Sequence, residues 1–199
     1  IGVASVVIMV SVMQGKAKKS MEMFDKLGDN KITVQAFNYY DMDNETGQLL
    51  FDYCLSLGDL IVGITPDLEI NDTVTIQYGS KTIKTNDWEN FDWNSGTDPW
   101  STMLHVYLGS EQYGICNNLN LAGGREFSYL EVEKTLPVCV LAAGAKEQLF
   151  GFTDPVGETI TLNGDPFQVV GWYQPMDLDW QPQMDNIIVI PHTFNRTMN

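Results

Sequence analysis

A tight hairpin in the C-terminal half constrains the fold of this chain more than any other segment. Residues 158–173 read ETITLNGDPFQVVGWY, two alternating strand-like runs on either side of Asn163 and Gly164. An Asn-Gly pair between alternating apolar residues is the strongest short-range hairpin signal, because both residues tolerate positive φ. Ile160 and Leu162 share one face of the first run. The pattern predicts an antiparallel strand pair with one buried face.

Apolar periodicity predicts further elements before this hairpin. Helices are predicted at residues 15–27, 45–57 and 143–149, a strand at 31–37, and strand-like runs at 59–70, 74–85 and 103–109, with a turn at 78–81. The apolar residues of helix 45–57 are expected on one face: Leu49, Leu50, Tyr53, Cys54 and Leu57. The order helix, strand, helix, strand and then mostly β predicts an α+β fold, in which a β-α-β unit is followed by an α+β or β-rich insertion.

Composition indicates a folded chain that does not bind nucleic acid. Of 199 residues, 44% are hydrophobic and 19% charged, which excludes a disordered acidic tail. The net charge is −15, and an acidic surface repels phosphate. The charge is uneven, because residues 1–40 hold five lysines and three acidic residues, whereas residues 41–199 hold 6 basic and 23 acidic ones. The length fits one domain or two small ones.

The first thirteen residues, IGVASVVIMVSVM, carry no charged side chain. Thirteen residues rise about 20 Å as a helix, whereas a membrane span needs about 20 residues. Two interpretations follow. The segment is either a buried element of a core or the last half of a transmembrane helix, and we favour the second.

Candidate catalytic and metal-binding residues are scarce. His105 and His192 lie in separate strand-like segments, which favours structural roles. The cysteines are widely spaced among apolar residues, which predicts buried side chains rather than nucleophiles: Cys54, Cys116 and Cys139. Residues 41–47 resemble a calcium loop, but Thr46 stands where an EF-hand needs glycine. We therefore predict no catalytic residue, no metal site and no cofactor.

Residues 86–100, NDWENFDWNSGTDPW, combine aromatic and acidic side chains with turn residues. Trp88, Trp93 and Trp100 are the candidate contacts for a ligand or a partner, because exposed tryptophans beside carboxylates can stack on a sugar ring. A surface loop whose aromatic residues fold back as anchors is the alternative explanation.

Several motifs follow one another in the C-terminal half. They are G-R-E-F at 124–127, an acidic helix, V-C-V-L at 138–141, a helix ending L-F-G at 151, D-P-V-G at 154–157 and a strand ending I-P at 191. This succession resembles the extracytoplasmic domain of MacB/FtsX-type ABC transporter permeases. The N-terminal part agrees in pattern, since IGVASVVIMVSVMQG resembles the outer half of the first transmembrane helix of that family, and LGDNKITV its strand entry.

The resemblance implies two lobes preceded by the end of a transmembrane helix. Residues 1–14 would end the first transmembrane helix, and residues 15–80 would form the connecting helix and the first part of a porter-like β-α-β lobe. Residues 81–184 would form a mostly β inserted lobe. Residues 185–199 would return into the porter-like lobe, which would remain incomplete.

The resemblance also implies a function and its partners. The domain would lie outside the cell membrane of a bacterium and would couple cytoplasmic ATP hydrolysis to export or to movement, as a lever and docking surface. Its partners would be an ABC-type ATP-binding subunit or domain, a second permease copy in a dimer, and an adaptor or other extracytoplasmic protein. The alternatives are an extracellular carbohydrate-binding module that uses loop 86–100, and a hydrolase with scattered carboxylates.

Overall fold

The computed structural model describes residues 18, 31–34, 44–88, 91–176 and 182–196. The chain divides into two units, Ile1–Val34 and Gln35–Asn199. Within the described residues, no helix is long and apolar enough to cross a membrane. The predicted end of a transmembrane helix lies outside this part of the chain, as does the connecting helix except Lys18, which is helical. Residues 31–34 form no strand, so the strand predicted at 31–37 is wrong over its first four residues.

The helix predicted at 45–57 is confirmed as α1, Asn44–Ser56. A 3-10 turn, Gly58–Leu60, follows it, and Gly58 ends the helix with φ +52°. Leu49 and Tyr53, two residues of the predicted apolar face, are 67% and 64% exposed. Phe51 is partly buried, with its ring centroid 5.6 Å from that of His192.

The remaining helical segments are short. They are α2 (Pro99–Thr102), α3 (Tyr113–Cys116), α4 (Tyr129–Glu133), α5 (Ala143–Phe150) and the 3-10 helices Pro182–Asn186 and His192–Arg196. Helix α5 confirms the helix predicted at 143–149. Its end at Gly151 has φ +60°, a conformation that glycine adopts without steric cost.

The described strands are β1 (Leu68–Glu69), β2 (Thr75–Tyr78), β3 (Lys81–Lys84), β4 (His105–Gly109), β5 (Leu121–Gly124), β6 (Val138–Leu141), β7 (Thr159–Leu162), β8 (Asp165–Tyr173) and β9 (Ile187–Pro191). They form one mixed sheet with the order β1-β4-β9-β6-β8-β7-β2-β3, and β5 also pairs with β8. The β4–β9 and β6–β8 pairs are parallel, whereas the others are antiparallel. Strands and helices together confirm the predicted α+β class.

Both predicted hairpins are confirmed. Strands β2 and β3 pair from Thr75↔Lys84 to Tyr78↔Lys81, and β7 and β8 pair from Thr159↔Gln168 to Leu162↔Asp165. Asn163 and Gly164 have φ +52° and +94°, the positive values that a type I′ turn requires.

The centre of the sheet is buried on both faces. Alternate residues of β6 and β9 face opposite sides, so Leu141 and Ile188 join one apolar cluster while Val140 and Val189 join the other. Helix α5 covers the first face with Leu149. Strand β9 lies in the predicted return segment, yet its neighbours β4 and β6 lie in the predicted insertion. The two-lobe boundaries stay a prediction.

Candidate functional site

A set of polar side chains attaches residues 64–69, which we call the tether, to the sheet. At the start of the tether, Ser110 Oγ donates to the Ile64 carbonyl oxygen at 2.8 Å, and the Ser110 amide donates to Thr65 Oγ1 at 2.9 Å. The Ile64 amide donates to Gln112 Oε1 at 2.7 Å. Ser110 is buried, and hydrogen bonds shielded from water are electrostatically stronger than exposed ones.

The far end of the tether is held by β4 and α3. The Tyr113 hydroxyl donates to Asp67 Oδ1 at 3.1 Å, and the Tyr107 hydroxyl donates to Glu69 Oε2 at 3.3 Å. The second oxygen of Glu69 lies 2.7 Å from His105 Nδ1, and His105 is only 3% exposed. Two carboxylates are thus fixed by three ring-bearing side chains.

The two phenols of this cluster remain protonated donors. Burial raises the pKa of Tyr113, and the negative charge of Asp67 raises it further. Burial likewise raises the pKa of Tyr107, with a further contribution from Glu69. Both hydroxyl groups therefore hold their protons at any physiological pH. They act as attachment points for the tether.

Sequence reasoning missed this cluster, although a signal for it is present. Asp67 and Glu69 are two residues apart, as are His105 and Tyr107, and residues two apart share one face of a strand. The register Glu69↔Tyr107 brings the two pairs together. Two period-two polar pairs on neighbouring strands could have predicted the contact, but the pairing of β1 with β4 was not evident from the chain.

The G-R-E-F motif fixes helix α4. Arg125 donates two bonds of 2.7 Å to the Glu131 carboxylate, and Ser128 and Glu131 form a reciprocal capping box at the helix start. The Arg125 guanidinium holds the pKa of Glu131 at about 2, with help from the Ser128 bonds. This motif is structural.

The next residue of the motif, Glu126, is largely buried. It accepts a 2.8 Å bond from the Tyr173 hydroxyl, and burial raises its pKa while this bond lowers it. Close packing continues at Gly171, where a Cβ atom would lie 2.3 Å from the Arg125 carbonyl oxygen. The motif therefore joins β8 to the segment after β5.

The structure brings two of the three predicted tryptophans together. The rings of Trp88 and Trp93 are nearly parallel, at 17° with centroids 6.3 Å apart, and Phe91 meets Trp93 edge-on at 5.1 Å. Trp93 is 66% exposed. Trp100 lies on α2, and its side chain is outside the described part. The contact role of these residues stays a prediction.

The histidines and cysteines do not converge on one centre. His105 begins β4, whereas His192 follows β9 and its Nδ1 lies 3.4 Å from the carbonyl oxygen of Gly109, at the other end of β4. Burial raises the pKa of the Cys139 thiol, which disfavours the nucleophilic thiolate. Within the described residues, no group of three or more His, Cys, Asp or Glu side chains could hold a metal ion.

Comparison with known proteins identifies the family. The family described as MacB-like periplasmic core domain matches residues 1–199. The macrolide export ATP-binding/permease protein MacB of Azoarcus sp. (strain BH72) is 26% identical over 197 residues, 97% of this chain and 27% of the relative. The pyoverdine export ATP-binding/permease protein PvdT of Pseudomonas savastanoi pv. phaseolicola is 26% identical over 199 residues, again 97% of this chain and 27% of the relative.

Solved structures share the fold. The periplasmic region of MacB from Actinobacillus actinomycetemcomitans has a TM-score of 0.55 at 21% identity, covering 75% of this chain and 57% of the other. The extracellular domain of the ABC-type transporter YknZ from Gram-positive bacteria has a TM-score of 0.51 at 16% identity, covering 73% and 63%.

The chain spans about a quarter of the length of the curated relatives it matches. Its whole length matches the family, and its motif order, mixed sheet and flanking helices agree with that match. The chain therefore belongs to the MacB-like periplasmic core domain family of ABC transporter permeases, as its motifs predicted.

Proposed function

We propose that this chain is the extracytoplasmic domain of a bacterial ABC transporter permease that couples cytoplasmic ATP hydrolysis to export or to movement outside the cell membrane. The domain acts as a lever and as a docking surface, and the catalytic step belongs to the ATP-binding part of the transporter. The names of its relatives, which are export ATP-binding/permease proteins, support this role. In this proposal, residues 15–80 and 185–199 belong to the porter-like lobe with its connecting helix. Residues 81–184 form the inserted lobe.

The tether is the observation that carries the proposal. It follows α1 and the 3-10 turn along the chain, and its bonds end on β4, α3 and the loop between them. Helix α1 also contacts His192 through Phe51, and His192 in turn approaches the end of β4. A displacement of α1 is thereby passed to one edge region of the sheet by two routes. Such coupling is what a lever needs.

The proposed partners follow from the same role. They are an ABC-type ATP-binding subunit or domain, a second permease copy, an adaptor or other extracytoplasmic protein, and the membrane itself through the N-terminal helix. Residues 41–199 hold 23 acidic and 6 basic side chains, so a docking partner is expected to be neutral or basic. Its association should weaken as salt rises, because salt screens attraction between exposed charges.

The experiment weakens the tether in the complete transporter. In Tyr113→Phe combined with Glu69→Gln, ATP binding should be unchanged, whereas export should fall by about fivefold or more, the usual size of an allosteric coupling. Tyr129→Phe is the matched control, because Tyr129 is an exposed tyrosine of α4. Unchanged export in the double variant, with the tether shown to be loosened by hydrogen exchange, would overturn the lever role.

A further inference from the structure

Three aromatic side chains of the described part of loop 86–100 lie in contact with one another. We call Trp88, Phe91 and Trp93 the aromatic platform. The near-parallel contact of Trp88 with Trp93 and the edge-on contact of Phe91 hold the Trp93 ring at a defined orientation while two thirds of it remain exposed. An aromatic ring that only anchored the loop would be largely buried instead. The ring contacts preorganise an open face, which lowers the entropy cost of binding.

The platform adjoins an open cleft of about 360 Å³ on the outer strand β3. The cleft is lined by Thr82, Ile83, Lys84, Asp87, Phe91, Thr102 and Met103. Phe91 belongs to both the cleft and the platform, so the two form one continuous surface. Its volume is within the range of small-molecule sites.

The side chains of the cleft suit a neutral ligand rich in hydroxyl groups. Lys84 supplies donors, Asp87 supplies acceptors, and the hydroxyls of Thr82 and Thr102 can do either. A charged ligand would be attracted to one of Lys84 and Asp87 and repelled by the other. A pyranose ring is neutral, has an apolar C–H face that packs on an aromatic ring, and carries hydroxyls around its rim.

An added peptide strand fits this edge less well. Strand β3 begins and ends with a lysine, Lys81 and Lys84, and lysines on an edge strand oppose further strand pairing. Lys81 Nζ is bonded at 2.9 Å to the Gln148 carbonyl oxygen, which ties the edge to the end of α5.

We propose that the aromatic platform and the adjoining cleft bind a neutral oligosaccharide. One sugar ring stacks on Trp93, and the next residue of the chain enters the cleft, where its hydroxyls bond to Asp87 and Lys84. A short open cleft and one stacked ring are expected to give a dissociation constant on the order of 1 mM. This site does not rest on the lever role, since none of the tether residues 64–69 belongs to the platform or lines the cleft.

The test titrates the complete transporter, held in lipid nanodiscs, with maltotetraose, cellotetraose and chitotetraose up to about 10 mM, by saturation-transfer difference NMR. At least one tetrasaccharide should bind saturably, and Trp93→Ala should weaken that binding by about tenfold or more. Phe152→Ala is the control, since Phe152 is a fully exposed aromatic residue outside the loop, and it should bind as the wild type does. Circular dichroism checks that both variants are folded.

Three results would overturn the proposal. These are no saturable binding of any of the three sugars, equal binding by Trp93→Ala and the wild type, or equal losses in Trp93→Ala and Phe152→Ala. A hexalysine peptide that binds through Trp93 while the sugars do not would assign the platform to a basic protein partner. The assay involves no transport, so its failure leaves the lever role standing.

Discussion

The tether and the β7–β8 hairpin belong to the same sheet but are held by different forces. The hairpin has four paired positions, and Ile160 and Phe167 are buried on its inner face. Within the tether, strand β1 shares two paired positions with β4, and the remaining attachments are side-chain hydrogen bonds. The hairpin is thus held by apolar burial, whereas the tether is held mainly by polar contacts.

This difference has a consequence for motion. Burial of one large apolar side chain contributes about 1.5–3 kcal/mol, whereas a single hydrogen bond contributes about 0.5–1.5 kcal/mol. Each tether contact should therefore break at a lower free energy than a buried apolar contact of the hairpin, as a local event within a folded sheet. A lever needs such a pair, a rigid body and an attachment that can change.

The largest effect is expected in the hairpin. Phe167→Ala should lower the free energy of unfolding by about 3–5 kcal/mol, because it opens a cavity in the core and removes the contact with Phe194 at 4.9 Å. Urea denaturation measures the change. Phe152→Ala, at a fully exposed position, should cost almost nothing. If the two variants lost similar amounts of stability, the hairpin would not be the more rigid of the two regions.

A smaller and more local effect is expected in the tether. Tyr113→Phe should cost about 1 kcal/mol, because Asp67 loses its bond from the phenol. Native-state hydrogen exchange should show faster exchange of the Ile64 and Ser110 amides, both of which donate within the tether contacts. Amides of β7 and β8 should keep their protection, and so should all amides in Tyr129→Phe. Equal loosening of tether and hairpin would remove the distinction between them.

The hairpin could be predicted from sequence because its signals are local. Asn163 and Gly164 specify the turn, and alternation specifies the buried face, so no distant residue is needed. The same holds for α5 and its glycine end. The family motifs lie in these locally specified segments, which is why family and fold class were predictable.

The tether could not be predicted because it depends on strand order. Nothing within residues 64–69 indicates that β1 pairs with β4, 36 residues away at the contact of Glu69 with His105. Helix α1 shows the converse, since its pattern predicted the helix and its apolar face, but Leu49 and Tyr53 on that face are exposed. Periodicity finds a helix, whereas the surface that covers it is a property of the assembled sheet.

The stability that the cap of α4 contributes should depend on pH. Glu131 has a folded pKa of about 2 against an ordinary value of 4.5, so its contribution is present above pH 4.5 and is lost as pH falls through about 2. Between pH 5 and pH 2, the free energy of unfolding should fall by about 1 kcal/mol more in the wild type than in Glu131→Gln. The difference is no larger because Arg125 is exposed, and solvent screens an exposed ion pair. Denaturation curves at several pH values measure the difference. Parallel pH profiles would show that the ion pair contributes nothing.

The smallest effect is expected at Glu126, a polar residue whose carboxyl group contacts strand β8 of the hairpin. Burial raises its pKa, so the protonated form favours folding, and that contribution is lost as pH rises through the folded pKa. Glu126→Gln keeps an acceptor for the Tyr173 hydroxyl but carries no charge, so at pH 8 it should stabilise the fold by about 0.5 kcal/mol or less. Below pH 4 the two proteins should be equally stable. A loss above about 1 kcal/mol at pH 8 would mean that the charge itself holds Tyr173, and β8 would then depend on polar attachment as the tether does.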